Sequence, residues 1–297
     1  MCIRDRVMPH LRIIDAVNPQ NRMIPLNRST GITMSLSAPG VTGLLTGQSA
    51  LLRLTGKSIE EMLFCFPAAQ LCNLGETVKA AQRYPSTRMG AAALLRQTLI
   101  DARQYALKRK EKEDTPLDFK MEALIPVLEG RIPLIIRANR MDDMMTALRI
   151  REEFHLKVII AGGADAYKIS GRLAARKIPV ILMPESIASL RQETREARPD
   201  IATLLQKAGI VFAFGSGSDL QQSLWDQINT AIRYGLSEQE ALKALTLQAA
   251  EIFGVSDRAG SISPGKEAQL VFLEGELFSP KSRIVKIIIG EECFLVD

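Results

Sequence analysis

Residues 132–219 alternate short apolar runs with amphipathic stretches. The apolar runs are rich in Ile and Val and read IPLIIRAN (132–139), KVIIAGG (157–163), IPVILMPES (178–186) and IVFAFGSGSD (210–219). Nearly continuous apolar character is typical of parallel strands that are covered on both faces. Several such strands separated by helical stretches predict successive βαβ units, which assemble into either a doubly wound sheet or a barrel.

The stretches between and around these runs have the spacing of amphipathic helices. Residues 142–154 place Met145, Leu148, Ile150 and Phe154 on one side of a helix and charged residues on the other. The pattern predicts further helices over residues 86–106, 118–130, 220–234 and 237–253, and strands over residues 31–39 and 50–54. Ser237 followed by Glu240 is the signature of a capping box.

After Gly254 the pattern changes to short alternating runs around Gly and Pro turns, which predicts a small antiparallel β-element. We therefore expect a barrel domain over residues 9–254 and a small β domain over residues 255–297. Residues 1–8 begin with MCIRDR, which has neither the apolar core of a signal peptide nor a strand pattern. We expect them to be a non-native or disordered leader, with the native protein beginning upstream.

Composition and charge narrow the possible function. Apolar residues make up 46% of the chain and charged residues 24%, as is ordinary for a globular protein. The net charge is +5, and the Lys and Arg residues are spread along the helical segments together with Glu and Asp. The one dense basic run, KRKEK (108–112), contains a Glu. We therefore expect no nucleic-acid partner. No apolar stretch reaches the roughly 18 residues that a membrane-spanning helix needs, so we expect no membrane-spanning helix. Four scattered cysteines predict no disulfide framework.

The C-terminal part of the chain carries a family resemblance. The run ALKALTLQAAEIFGVSDRAGSISPGKEAQLVFLEGELF, followed by RIVKIIIGEECFLV, resembles the end of imidazolonepropionase-like amidohydrolases. In that family a helix with the pattern ALxAxTxxPAxxLGV leads into GSLxPGKxADLVVxxGxP. Further blocks match at residues 10–19, 31–40, 47–54, 86–105 and 141–154. The chain is thereby identified as a member of the amidohydrolase superfamily.

The resemblance implies a (β/α)8 TIM-like barrel, here incomplete at its N-terminus, with the small C-terminal β-element of a composite sandwich domain. It also implies hydrolysis of a C–N bond, of the cyclic amide or imidazolone type, by a water activated on a divalent metal such as zinc. Members hold the metal with a His-x-His pair after the first strand, further histidines at the ends of middle strands, and an Asp after the last strand.

The metal ligands implied by the resemblance are largely missing from this chain, which has two histidines. His10 stands outside any His-x-His pair, and His155 follows a helix, where a polar cap is the better interpretation. Where relatives read HAHR, the chain reads Arg-Ala-Asn-Arg at residues 137–140, and the histidine of the next strand is replaced by Gly162. We therefore predict no metal ligand, although the family implies zinc.

Residues two apart on a strand point the same way, so Arg137 and Asn139 are expected to project together into the barrel mouth. Two interpretations stay open, a salt bridge at the mouth and a site for an anionic ligand to which Arg140, Ser216 and Ser218 also contribute. Asp165 begins a helix, and stabilisation of a helix N-terminus is favoured over catalysis.

The last predicted strand ends in GSGSD (215–219), which resembles the segment that holds the catalytic Asp of the family. Asp219 is the catalytic candidate, and a helix N-cap is its alternative role.

Two functions follow from these observations. One is a metal-dependent amidohydrolase. The other is a catalytically inactive barrel that binds a small anion or serves as a partner subunit, as a homo-oligomer or beside an active paralogue. A Schiff-base enzyme is disfavoured because none of the four clear strands ends in Lys. The compartment stays open between the cytoplasm and, given an upstream signal peptide, the periplasm or exterior.

Overall fold

The structure is a computed structural model that describes residues 6–79, 84–112, 114–188, 192–217, 222–279 and 281–296. Its strands are Met34–Ser37 (β1), Leu45–Arg53 (β2), Leu63–Asn73 (β3), Leu134–Ala138 (β4), Val158–Gly162 (β5), Val180–Leu182 (β6), Phe212–Phe214 (β7), Gln269–Glu274 (β8), Arg283–Ile289 (β9) and Glu292–Leu295 (β10). Its α-helices are Met23–Ser29 (α1), Ile59–Met62 (α2), Arg88–Glu111 (α3), Phe119–Glu122 (α4), Ile125–Leu128 (α5), Met141–Phe154 (α6), Ser170–Ala175 (α7), Pro184–Ile187 (α8), Ile201–Lys207 (α9), Gln222–Arg233 (α10), Glu238–Leu245 (α11) and Leu247–Ile252 (α12).

Within the described ranges, β1 to β7 form one sheet in the order of the chain. The pairs β1–β2 and β2–β3 are antiparallel, and every pair from β3 to β7 is parallel. The register sets five residues side by side across the parallel part: Asn73, Arg137, Ala161, Ile181 and Ala213. This curled, parallel-rich sheet with its helices is an incomplete (β/α) barrel, as the resemblance implied.

The two faces of the sheet pack differently. Leu134, Ile136 and Ile160 point outward into the main apolar core. The alternate residues Ile135 and Ile159 point inward and are each 2% exposed. The chain itself covers this inner face with Leu36 of β1, with Ile252 at the end of α12, and with the following Phe253. The barrel interior is therefore a packed apolar layer below its mouth.

The sequence prediction of four parallel strands is confirmed, whereas several other elements differ. Strand β3 was not predicted, and β2 is longer than the predicted segment 50–54. The helix predicted over residues 118–130 is two short helices, because Pro126 has no N–H to continue the first one. The helix predicted over 237–253 is interrupted at Thr246, whose φ of −123° and ψ of −86° are not helical.

The C-terminal strands β8, β9 and β10 form a separate antiparallel sheet in the order β10–β9–β8, as the alternating pattern predicted. Helix α1 packs against it, and the Arg28 guanidinium lies 3.6 Å from the centre of the Phe294 ring. At the N-terminus, residues 1–5 lie outside the described residues, and the Met8 N–H donates to the Leu45 carbonyl. None of the helices in the described ranges is long and apolar enough to cross a bilayer.

Candidate functional site

The carboxyl ends of the parallel strands form the mouth of the barrel. Arg137 is the second-to-last residue of β4, and its side chain points to the inside of the barrel. Its Nη2 donates a hydrogen bond to Glu185 Oε1 of α8, the helix that follows β6. The two side chains are only 22% and 15% exposed, so the ion pair is substantially shielded from water. The structure thus places a salt bridge at the mouth, one of the two arrangements that the sequence left open.

Asn139 follows β4 and lies against Gly162, the last residue of β5. A Cβ atom on Gly162 would be 2.4 Å from Asn139 Oδ1, and the φ of Gly162 is +93°. The Asn139 side chain therefore fills the space beside Gly162, where the resemblance implies a histidine. Arg137 and Asn139 line the same cleft, which agrees with their expected common direction.

The cleft at the mouth is small. Its polar lining residues are Thr77, Arg137, Asn139, Glu185, Glu193 and Thr194. Its cavity volume is about 20 Å³, which is room for about one water molecule. Two of these residues each have a buried oxygen without a hydrogen-bond partner among the described residues, Asn139 Oδ1, which lies against Gly162, and Thr77 Oγ1. Such buried acceptors are destabilising unless a donor reaches them.

Beside this cleft, Arg88 at the start of α3 holds three carboxylates together. Its nitrogens lie 2.8 Å from Glu76, 3.0 Å from Asp143 and 3.2 Å from Glu193. Glu193 also accepts a hydrogen bond of 2.6 Å from the backbone N–H of Glu76. Burial raises the pKa of Asp143 above its ordinary range, although the charge of Arg88 opposes the shift. These acids are therefore engaged in a structural ion cluster.

Arg140 is not among the described residues that line the mouth cleft, and it pairs with Asp142, with 2.9 Å between Nε and Oδ1. It lines a neighbouring cleft together with Asp165 and Lys168. Asp165 Oδ2 accepts a hydrogen bond of 3.1 Å from the backbone N–H of Met141, and Asp165 lies 2.9 Å from Lys168 Nζ. Asp165 therefore stabilises a helix N-terminus, although the helix is α6 and not the one that follows it.

The remaining predicted residues lie around the loop after β7. Ser216 is two residues beyond this strand, and Gln227 Nε2 of α10 donates to the carbonyl of Gly215 at 3.2 Å. Ser218 and Asp219 lie outside the described residues, so the catalytic role of Asp219 stays a prediction.

The described residues do not fit the zinc site that the family implies. His155 is the C-cap residue of α6, with a φ of 57°, so the expected cap is confirmed. Within the described ranges, no group of three or more His, Cys, Asp or Glu side chains is placed so that it could hold a metal ion. The described strand ends carry two carboxamides, Asn73 and Asn139, which are weak ligands, and the Arg137 guanidinium, which repels cations. The carboxylate after β6, Glu185, is paired with Arg137. The strand-end positions therefore lack the donors of a catalytic zinc.

The sequence analysis missed Glu185, Glu193 and Thr77. Glu185 directly follows the apolar run IPVILMP (178–184), so its place just after a predicted strand was a usable signal. Glu193 and Thr77 lie in short 3-10 helices, Gln192–Thr194 and Glu76–Val78, and no periodicity marks them.

Comparison with known proteins agrees with this architecture. The model of the amidohydrolase family matches residues 101–291. The crystal structure of an amidohydrolase from Thermotoga maritima MSB8 is similar with a TM-score of 0.94 and 34% identity, over 99% of this chain and 79% of that chain. An imidazolonepropionase from Porphyromonas gingivalis is 36% identical over 125 residues, which are 40% of this chain and 27% of that protein.

Amidohydrolase tasK from Hapsidospora irregularis is 21% identical over 92% of this chain and 31% of its own length. The chain thus spans about a third or less of the length of these two curated relatives. The family match covers well over half of the chain and includes strands β4 to β9. The chain belongs to the amidohydrolase family.

Proposed function

We propose that the barrel mouth binds small carboxylates through Arg137 and does so without a resident divalent metal. The observation that carries this proposal is the position of the Arg137 guanidinium, which projects into the mouth cleft and is 22% exposed. Its described contact with Glu185 uses Nη2, whereas a guanidinium has five N–H donors in a planar fork. That fork matches the geometry of a carboxylate.

The charges around the mouth support binding in place of metal-dependent hydrolysis. Glu193, a wall residue of the cleft, is already paired with Arg88, and Glu185 is paired with Arg137. A divalent cation would have to displace two guanidinium groups to reach these carboxylates. An incoming carboxylate has only to displace Glu185 from Arg137.

Measurements of ligand binding test the proposal, because the ligand and Glu185 compete for the Arg137 guanidinium. We expect Glu185→Gln to bind propionate about tenfold more tightly than the wild-type protein, because the guanidinium loses its intramolecular competitor. Arg137→Gln should abolish binding. Isothermal titration calorimetry or ligand-observed NMR, at the millimolar concentrations expected for so small a ligand, measures both effects. Equal propionate affinities in Arg137→Gln and the wild type would refute the proposal.

Metal content provides a second test. We expect protein purified in zinc-supplemented medium, without chelators, to hold far less than one equivalent of zinc, manganese or iron by elemental analysis. The reason is that the described strand ends offer no set of His or carboxylate ligands. One equivalent of tightly held metal that resists dialysis, and whose removal lowers the unfolding midpoint, would contradict this expectation.

The second candidate function is hydrolysis of a cyclic amide. It is favoured by the segment of 125 residues that is 36% identical to an imidazolonepropionase. Asp219 is the residue to test, since the resemblance gives its position the role of taking the proton of the attacking water. Turnover of imidazolonepropionate that Asp219→Ala abolishes, while Asp226→Ala in α10 does not, would establish this function and displace the first.

A further inference from the structure

We infer that a second anion site lies beside the barrel mouth and binds the phosphate group of a small molecule through Arg140 and Arg195. The site is the cleft between the segments that follow β4 and β5 and residues 192–196 (the side cleft). Active sites of (β/α) barrels lie at the carboxyl ends of the strands, and the side cleft lies at the ends of β4 and β5. Arg137 is not one of its described wall residues, so the inference goes beyond the proposed function.

The side cleft has room for a phosphate group. Its cavity volume is about 210 Å³, which corresponds to several water molecules. Lys168 ties two of its walls together, because its Nζ lies 2.9 Å from Asp165 Oδ1 and 2.5 Å from Glu196 Oε2. Asp165 belongs to the segment after β5, whereas Glu196 belongs to residues 192–196. The space is therefore enclosed by walls that are held in place without a ligand.

Two arginines of the side cleft have unused hydrogen-bond donors. Arg140 donates from Nε and Nη2 to the two carboxylate oxygens of Asp142, at 2.9 Å and 3.1 Å, and its Nη1 has no partner among the described residues. Arg195 has one described contact, of 3.4 Å between Nη2 and Glu196 Oε1, and its side chain is 68% exposed. Since a guanidinium has five N–H donors, both arginines keep donors for a ligand.

The acidic residues of the side cleft are already engaged. Each described carboxylate on its walls has a cationic partner: Asp142 has Arg140, Asp165 and Glu196 share Lys168, and Glu193 has Arg88. A bound cation would have to displace these partners. The hydrogen-bonding capacity that remains in the cleft belongs mainly to guanidinium donors, so the ligand that complements it is an anion rich in acceptors.

A phosphate group fits this description better than a carboxylate. A carboxylate has two oxygens, which one guanidinium fork satisfies. A phosphate group has three strong acceptor oxygens and a charge of about −1.5 to −2 at neutral pH, so it can accept hydrogen bonds from two guanidinium groups at once. Arg140 and Arg195 belong to two separate segments of the wall, and a ligand with several acceptor oxygens can reach both.

Titration with inorganic phosphate at constant ionic strength tests the inference, with calorimetry or phosphorus NMR as the measurement. We expect the wild-type protein to bind phosphate in the millimolar range and Arg195→Gln to bind it about fivefold more weakly. Arg195 makes a single long contact, so its replacement should leave the unfolding midpoint unchanged. Arg140→Gln should weaken phosphate binding to a similar extent.

Two matched variants separate the side cleft from other sources of binding. Arg131→Gln removes the same charge from an arginine that is 61% exposed and does not line the side cleft, so phosphate affinity should stay within about twofold of the wild type. Arg137→Gln should also leave phosphate binding unchanged. Conversely, Arg195→Gln should leave the binding of propionate unchanged.

The outcomes distinguish this inference from the proposed function. Equal phosphate affinities in Arg195→Gln and Arg131→Gln would overturn the inference, because binding would then reflect the net charge of the protein. Phosphate binding that Arg137→Gln abolishes would also overturn it, since the anion would then lie at the mouth. Phosphate binding that depends on Arg195, in a protein that does not bind propionate, would support the side cleft and refute the proposed function alone.

Discussion

Gly162→Ala is expected to lower the free energy of unfolding by about 3 kcal/mol, the sum of backbone strain and a steric clash. The φ of +93° at Gly162 lies in the region that L-residues rarely adopt. The added Cβ would also lie 2.4 Å from Asn139 Oδ1, so the Asn139 side chain would have to leave its place at the barrel mouth. Urea denaturation followed by circular dichroism measures the loss.

Two further variants separate the backbone strain from the steric clash with Asn139. The double variant Asn139→Ala/Gly162→Ala should lose less than the sum of its single changes, because the clash is then absent while the backbone strain remains. Gly171→Ala in α7 is the control, since a Cβ there meets nothing within 4 Å, and no loss is expected. A loss under 1 kcal/mol in Gly162→Ala would show that Asn139 does not hold the described position.

Arg88→Met is expected to cost about 3 kcal/mol, the lower end of the range for breaking a buried ion pair, because Arg88 is partly exposed. The change leaves the Asp143 side chain, 5% exposed, without its counter-ion, and it also frees Glu193 at the wall of the mouth cleft. Arg96→Met is the matched control on the same helix. Arg96 and Glu153 are 32% and 41% exposed, so the loss there should stay below about 1 kcal/mol.

The pH dependence of the Arg88→Met loss gives a second readout. Burial already raises the pKa of Asp143 above its ordinary value of 3.8, so the folded protein holds that proton more tightly than the unfolded chain. A carboxyl group whose pKa is higher in the folded protein than in the unfolded chain lowers the free energy of unfolding at pH values above its folded-state pKa. At pH values below its pKa in the unfolded chain, the group no longer has this effect. Removal of Arg88 raises the pKa further. The loss measured at pH 7 should therefore shrink as the pH falls toward about 4. A loss that is constant across this range would assign the effect to packing alone.

The parallel part of the fold was predictable because burial on both faces leaves a clear mark in the sequence. Strands β4 to β7 each coincide with an Ile- and Val-rich run. Strand β3 left no such mark, since Pro67 and two alanines interrupt its 11 residues. The breaks between α4 and α5 and at Thr246 depend on local backbone geometry that helical periodicity does not report.

The site was predictable in its strand residues and not in their partners. Arg137 and Asn139 follow from the alternation of side chains along one strand. Their contacts with Glu185 and Gly162 depend on how separate βαβ units lie against one another. The cluster of Arg88, Asp143 and Glu193 joins three segments that are distant in the chain, and charge pairing of this kind has no signature in a single sequence.

The apolar layer inside the barrel sets the order in which the molecule can assemble. Leu36 and Phe253 cover the same inner face, although nearly the whole barrel lies between them in the chain. Contacts between such distant positions require the closure of a very long loop, which slows folding. The βαβ units can form from local contacts. The apolar layer below the mouth is complete only when the segments that contain Leu36 and Phe253 have both packed against the inner face of the sheet. A chain arrested before that step exposes Ile135 and Ile159 to other molecules, so aggregation is the expected fate of its folding intermediate.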